Sequence, residues 1–282
     1  MRLGYLGPAG TFSEDAVRSA PDAEQAELVA LPTVHDTVMA VHEGSVERAV
    51  VPIENALEGP IGVTLDTLAD AGTRVEIVGE VVIAVSPCLI VRDGTALEQI
   101  ERVVSHPQPL SQCARFLRER LPDAVVVAAD STAEAVRIVA AQPLPWAALG
   151  TRRAAELYGA RVLVEGVEDE PGNATRFVWL AREAAAPDAS VASKTSLAFW
   201  GAGDDSPGWL VRCLSEFAFR GVNLTKIESR PLRARLGHYR FFVDCEGDAR
   251  ADDAVAGAIG GLRTHCEQVK ILGAYPSARR RD

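Results

Sequence analysis

The sequence predicts an α/β protein built in two units, a larger one with largely parallel sheets followed by a smaller βαββαβ unit. Three observations carry that reading. The first 180 residues or so alternate short strand-like runs with helical patterns, the order that parallel sheets with crossover helices produce. Residues 183–193 then lose all periodicity and hold small residues, one Pro and two acids, which is the composition of a linker. Beyond them strand, helix, strand, strand, helix and strand follow within about 80 residues, the ferredoxin-like order.

Residues 2–6, 49–53, 103–105, 125–129, 146–149 and 176–180 read as strands. Leu110, Cys113, Ala114, Leu117 and Leu121 recur at helical spacing, as do Ala133, Val136, Val139 and Ala140. A further helix at 151–158 stops at Gly159, which suits a left-handed C-terminal position. The β-branched stretch 75–91 is long enough to carry the chain from one lobe into another. In the second unit, strands at 195–200, 223–229, 238–245 and 268–272 are joined with helices at 207–220 and 252–263. Leu210, Cys213, Leu214 and Phe217 make one apolar face of the first of these helices, and Gly221 ends it. The expected boundaries are 1–182 for the larger unit, 183–193 for the linker, 194–275 for the smaller unit and 276–282 for a charged tail.

Composition excludes several classes. With 48% apolar and 24% charged residues in 282, the chain has material for a core and no need of a disulfide staple. Lys and Arg number 29 against 39 Asp and Glu, a formal charge of −10, which argues against nucleic acid or an anionic membrane as partner. The longest apolar stretch is broken by Glu76, Gly79, Glu80 and Pro87, so the ~20 uninterrupted residues of a membrane span are missing. The first residues run straight into a strand pattern without signal-peptide architecture, and a cytoplasmic location is expected. Five cysteines without a Cys-x-x-Cys pair, and five histidines without ligand spacing, point to no metal, disulfide or cofactor.

Four segments carry polar residues where an α/β sheet binds ligands, beyond the carboxyl ends of strands. Gly7-Pro8-Ala9-Gly10-Thr11-Phe12-Ser13-Glu14 is a glycine turn feeding a helix, either an anion site of free N–H groups or simply a capped helix. Val50-Val51-Pro52-Ile53-Glu54-Asn55 ends a strand in a carboxylate and an amide; Asn55 can donate and accept to a ligand, or form an Asx-turn. In Ser105-His106-Pro107-Gln108-Pro109-Leu110-Ser111-Gln112, Gln108 and Gln112 share a helical face. That face is a binding surface or the polar side of an amphipathic helix, and His106 is a general base or a structural residue. In Asn173-Ala174-Thr175-Arg176-Phe177, Arg176 offers a fork for a carboxylate and Thr175 a hydroxyl donor.

The order and wording of these segments, together with Glu228-Ser229-Arg230-Pro231, resemble the prephenate dehydratase family over essentially the whole chain. The resemblance implies a two-lobed catalytic region of periplasmic-binding-protein-like fold, followed by an ACT domain that binds phenylalanine. It implies conversion of prephenate to phenylpyruvate with release of CO2 and water. Loss of the ring carboxylate and hydroxyl makes the ring aromatic, so no strong nucleophile, metal or organic cofactor is required. Thr175 is then the catalytic donor to the leaving oxygen. Asn55, Ser105 and Gln112 would hold the ring hydroxyl and carboxylate, with Glu54 and Phe177 also lining the substrate site. Thr11 and Arg176 would receive the pyruvyl carboxylate.

For the effector the resemblance implies Gly208, Leu210, Val211, Asn223, Glu228, Ser229, Arg230 and Pro231, and a homodimer or homotetramer assembled through the ACT domains. The sequence departs from the family at Trp209, where members usually have Ala; a large indole there would fill effector space if it pointed inward. Arogenate dehydratase, prephenate decarboxylase and a non-catalytic amino-acid sensor are the competing readings. The intact Thr175-Arg176-Phe177 and Asn55 favour the dehydratase.

Overall fold

The computed structural model of the chain describes all residues except 71, 185, 187–190, 192, 202, 204–205, 233–236 and 279–282. Most of the expected linker's interior and the last four residues of the tail thus lie outside the described residues. The chain starts with β1 (Arg2–Leu6), α1 (Phe12–Arg18), β2 (Glu27–Leu31), α2 (Val34–Glu43), β3 (Arg48–Asn55), β4 (Gly59–Pro60), α3 (Gly62–Ala69) and β5 (Glu76–Ala84). It then crosses to β6 (Cys88–Val91), β7 (Arg102–Ser105), α4 (Pro107–Gln112), α5 (Ala114–Arg120), β8 (Val125–Ala128), α6 (Thr132–Ala141), β9 (Trp146–Gly150), α7 (Arg152–Tyr158) and β10 (Arg161–Val164). It returns on β11 (Ala174–Ala181) and ends in β12 (Ser193–Trp200), α8 (Trp209–Ala218), β13 (Leu224–Pro231), β14 (Tyr239–Glu246), α9 (Asp253–Leu262) and β15 (Gln268–Pro276).

Three sheets result. The first lobe has the order β2-β1-β3-β11-β5, the second β10-β6-β9-β7-β8, and the third unit β13-β14-β12-β15. The expectation of largely parallel sheets needs correction. β1 runs parallel to β2 and β3, and β7 to β8 and β9, but every ladder made by β5, β6, β10 and β11 is antiparallel. These four strands carry the two crossings between lobes, and they enter a sheet directly rather than through a crossover helix.

The expected helix at 110–121 is split at Cys113, whose φ/ψ of −114°/16° breaks the ladder. A tertiary cap explains the break. The Asp169 carboxylate, arriving from the segment before β11, accepts from the backbone N–H groups of Arg115 and Phe116 at 2.8 and 3.1 Å, satisfying the start of a second helix.

The third sheet buries both faces. On one, Leu197, Phe199 and Val243 pack with Cys213 and Phe217 of α8 and Ile259 of α9. On the other, Ala198, Phe242, Leu272 and Tyr275 join Ile53, Leu65 and Ile77 of the first lobe in a single core. Each large side chain buried there contributes about 1.5–3 kcal/mol relative to exposure, so the third unit is fastened to the first lobe. The approach is close enough that a Cβ on Gly273 of β15 would stand 2.2 Å from the Ile77 carbonyl oxygen of β5.

Trp209 points into the core of the third unit. Its ring lies 5.9 and 5.7 Å from Phe199 and Phe241, and its Nε1 donates to the His265 carbonyl at 2.7 Å. Beside it Gly208, Leu210, Val211, Tyr239 and Phe241 line a surface cleft of about 270 Å³. Among the described residues no helix is long and apolar enough to cross a membrane.

Candidate active site

The end of β3 meets the start of β11 in antiparallel register, with Asn55 opposite Thr175 and Glu54 opposite Arg176. Alternation along a strand sends these two pairs to opposite faces. Asn55 and Thr175 are only 5% and 8% exposed. The Asn55 Nδ2 group donates to Thr175 Oγ1 at 2.9 Å and to Asn173 Oδ1 at 3.0 Å. Its Oδ1 accepts from the N–H groups of Leu57 and Glu58, both at 3.0 Å. The Asx-turn and the functional amide are therefore the same residue: the turn fixes the side chain so that its N–H groups face Thr175.

A Thr oxygen that accepts one hydrogen bond directs its own proton elsewhere. Among the described residues, the Thr175 hydroxyl donates to no protein acceptor. The network then crosses between lobes. Asn173 Nδ2 donates to Gln112 Oε1 at 3.2 Å, and Gln112 Nε2 donates to Glu58 Oε1 at 3.3 Å. Since Gln112 belongs to α4 of the second lobe, a chain of neutral amides spans the mouth between the two lobes. The structure thus brings together Asn55, Thr175 and Gln112, and adds Asn173, which the sequence reading left out. Its signal was available: Asn173 stands two positions before Thr175 and so shares its face.

Other expected site residues lie elsewhere. Ser105 is 0% exposed, and its hydroxyl donates to the Leu149 carbonyl at 2.7 Å, tying β7 to β9; with its proton used and no open surface, it does not reach a ligand. Phe177 is buried with Leu3, Tyr5 and Val50 in the core beneath α1. His106 caps α4, its Nδ1 accepting from the Gln108 N–H at 3.3 Å, the structural alternative.

The glycine turn is also a structural device. Gly10, at φ +87°, lies so close to α7 that its Cβ would stand 3.1 Å from the Ala154 Cα. The Thr151 hydroxyl donates to the Gly10 carbonyl at 2.6 Å, and the buried Glu14 carboxylate accepts the Gly10 N–H at 2.6 Å. That N–H is thus closed to an anion. Thr11 donates to the Pro8 carbonyl at 3.0 Å, so the turn docks the lobes on each other, and Arg153 adds an ion pair to Asp15 at 2.5 Å.

Glu54 and Arg176 leave the cleft altogether. The Arg176 guanidinium, 11% exposed, pairs with Glu54 at 3.0 Å, Glu80 of β5 at 3.1 Å and Asp244 of β14 at 2.7 Å. Lys194 reaches Glu80 at 3.0 Å and Lys226 reaches Glu54 at 3.4 Å. Burial works against the charge on Arg176, but Asp244, Tyr275, Glu54 and Glu80 more than offset it and hold it protonated. Burial pushes the Lys226 ammonium below the ordinary lysine range, with Glu54 opposing, and pushes the Tyr275 hydroxyl well above its ordinary value. A guanidinium facing three carboxylates is not open to a substrate carboxylate.

Of the expected effector residues, Gly208, Leu210 and Val211 are gathered at the cleft beside Trp209. Arg230 is turned away from them, onto Asp66 of α3 with two bonds of 2.8 Å. Glu228 shares the Arg230 side of β13 by alternation, and Asn223, Ser229 and Pro231 are exposed on or beside that edge strand.

Residues 3–185 match the family model for prephenate dehydratase. The chain belongs to the prephenate dehydratase family. A prephenate dehydratase of Mycobacteroides abscessus is 41% identical over 281 residues, covering 98% of this chain and 90% of that one. The crystal structure of the prephenate dehydratase of Arthrobacter aurescens in complex with L-Phe superimposes with a TM-score of 0.90 at 35% identity, covering 98% and 90% of the two chains. A solved structure described as a novel type of quorum quenching acylase, GqqA, has a TM-score of 0.88 at 31% identity, with both chains fully covered. The prephenate dehydratase fold is thus a two-lobed, periplasmic-binding-protein-like catalytic region with an ACT-like third unit. Its activity is that of the family, a hydro-lyase reaction on prephenate.

Proposed function

We propose that Thr175 is the donor that stabilises the departing ring oxygen of prephenate, within a catalytic region at 1–182 of a cytoplasmic enzyme. The ring carboxylate gives up CO2, and its bonding pair enters the ring. The opposite C–O bond breaks with its own pair, so that prephenate becomes phenylpyruvate, CO2 and hydroxide, which takes a proton to become water. Charge develops on the leaving oxygen, and a placed donor is worth most there. The 2.9 Å bond from Asn55 Nδ2 to Thr175 Oγ1 carries this reading, because it leaves the hydroxyl proton free for the substrate and polarises it. Thr is too weak an acid to hand over its proton fully, and a hydrogen bond suffices when aromatisation drives the step.

Gln112 and Asn173 bind the neighbouring polar groups as neutral amides. Neutral partners suit a carboxylate that must leave, because a tighter ionic grip would stabilise the ground state. The test is product analysis of the purified protein with prephenate and with arogenate. Phenylpyruvate supports the reading, whereas a product keeping the ring oxygen identifies a decarboxylase, and turnover of arogenate alone moves the specificity to the amino analogue.

L-phenylalanine is the proposed effector, bound by the unit at 194–275 at the cleft of Gly208, Leu210 and Val211, which the inward Trp209 leaves open. The proposed assembly is a dimer or tetramer through these units, where Val211 and Phe219 are 67% and 86% exposed. Titration calorimetry with phenylalanine measures the first and sedimentation the second. No heat and no inhibition would retire the effector.

A further inference from the structure

Each of the two residues bonded to each other in the cleft has a chain neighbour held by the third unit. Next to Thr175 is Arg176, and next to Asn55 is Glu54. These neighbours pair with each other at 3.0 Å across the β3–β11 ladder, where the register shifts between Arg176 and Phe177. The third unit grips both. Asp244 of β14 takes Arg176 at 2.7 Å, and Lys226 of β13 takes Glu54 at 3.4 Å. Asp244 is itself fixed by the Ser196 hydroxyl at 2.6 Å, which contacts the Tyr275 hydroxyl at 2.7 Å. All of these groups are largely shielded from water, so their attraction is not lost to screening.

We infer that Arg176 is a positioning residue: through Asp244 it sets Thr175 against Asn55, and the third unit thereby controls the geometry of the catalytic pair. The inference rests on the proposed role of Thr175. A strand allows no independent movement of adjacent residues, so a displaced Arg176 backbone carries Thr175 with it. The bulge beside Arg176 is where that displacement is absorbed. A shift of about 1 Å in a donor costs about 10²-fold in rate, and only part of that is required for regulation. Asp244 lies on the opposite side of the sheet from the cleft and touches no substrate, which separates positioning from binding.

The experiment is steady-state kinetics with prephenate for the wild type, Thr175→Val, Asp244→Asn, Arg176→Gln and the double variant of the last two, each checked for folding by circular dichroism. The expected result is a kcat lowered about tenfold or more in Asp244→Asn and in Arg176→Gln, with KM within threefold of wild type. The double variant should be no worse than the poorer single, since both remove one link. A KM raised tenfold in Arg176→Gln at unchanged kcat would make Arg176 a substrate contact and overturn the inference. So would a wild-type kcat in Asp244→Asn while Thr175→Val is impaired; a wild-type kcat in Thr175→Val overturns the reading of the site as well. If the charge variants do not fold, Ser196→Ala serves, as it only frees Asp244. A kcat lowered at least twofold at constant KM supports the inference, and a wild-type kcat overturns it.

Discussion

Replacing Thr175 by Val removes one hydroxyl and almost no volume, so its effects on folding and on catalysis can be worked out separately. In the folded protein the Oγ1 atom accepts from Asn55 Nδ2, and that amide keeps two further acceptors, Asn173 Oδ1 at 3.0 Å and the Ala174 carbonyl at 3.3 Å. No buried donor is orphaned, and the folding cost is about 1 kcal/mol or less. In the transition state the loss is larger, because the hydroxyl is the proposed donor to an oxygen acquiring charge. Removing such a donor costs about 2.7–4 kcal/mol, or about 10²–10³ in kcat. KM should stay within about threefold, since the interaction strengthens as the C–O bond breaks. Thr175→Ser, which restores the hydroxyl, should recover at least about a tenth of wild-type kcat. Phenylpyruvate formation by purified variants, with thermal unfolding as the control, measures both. A Thr175→Val enzyme within threefold of wild-type kcat refutes the donor role.

Asn173→Leu breaks the bridge from Asn55 to Gln112 and should lower kcat/KM about tenfold or more, read in the same assay. Ser105→Ala leaves the Leu149 carbonyl without its donor and should cost about 1–3 kcal/mol in urea unfolding, with kcat/KM within about threefold; a large kinetic loss would return Ser105 to the substrate site. Phe177→Ala should destabilise by about 3–5 kcal/mol as a core truncation, with KM little changed in whatever fraction folds. The Arg250 guanidinium and backbone N–H hold the Asp248 carboxyl below its ordinary value of 3.8, so this group stabilises the fold above about pH 4 and the benefit is lost as pH falls through its native pKa. The difference in unfolding free energy between wild type and Asp248→Asn should be full at pH 6 and shrink towards zero below pH 3; a constant difference across that range would refute the linkage.

The order of elements was legible because hydrophobic periodicity is a local property, and the βαββαβ unit follows its expected order. Strand direction was not, since whether a strand enters a sheet through a helix or straight from a neighbouring lobe depends on the sheet it joins. The split of the helix at Cys113 was hidden for a similar reason. Its cap, Asp169, lies 53 positions along the chain from the Phe116 N–H that it accepts. β2 and β10 escaped notice because Glu27–Leu31 and Arg161–Val164 are edge strands whose short runs lack clean alternation.

Within the site, sequence reading identified the right segments but assigned neighbours to one face. Thr175-Arg176-Phe177 looks like a unit, yet on β11 its members meet three environments: the cleft, the ion cluster under the third unit, and the core beneath α1. Glu54-Asn55 divides in the same way on β3. Strand alternation requires the division, and only tertiary structure shows what covers the second face. One consequence concerns charge. The prephenate dianion approaches a protein of formal charge −10, and the arginine nearest the catalytic hydroxyl is already neutralised by Glu54, Glu80 and Asp244. Long-range repulsion then opposes capture, and salt should screen it. The Michaelis constant for prephenate should therefore fall or stay level between about 20 and 200 mM salt; a steep rise would reveal a positive funnel at the cleft and return a cation to the substrate site.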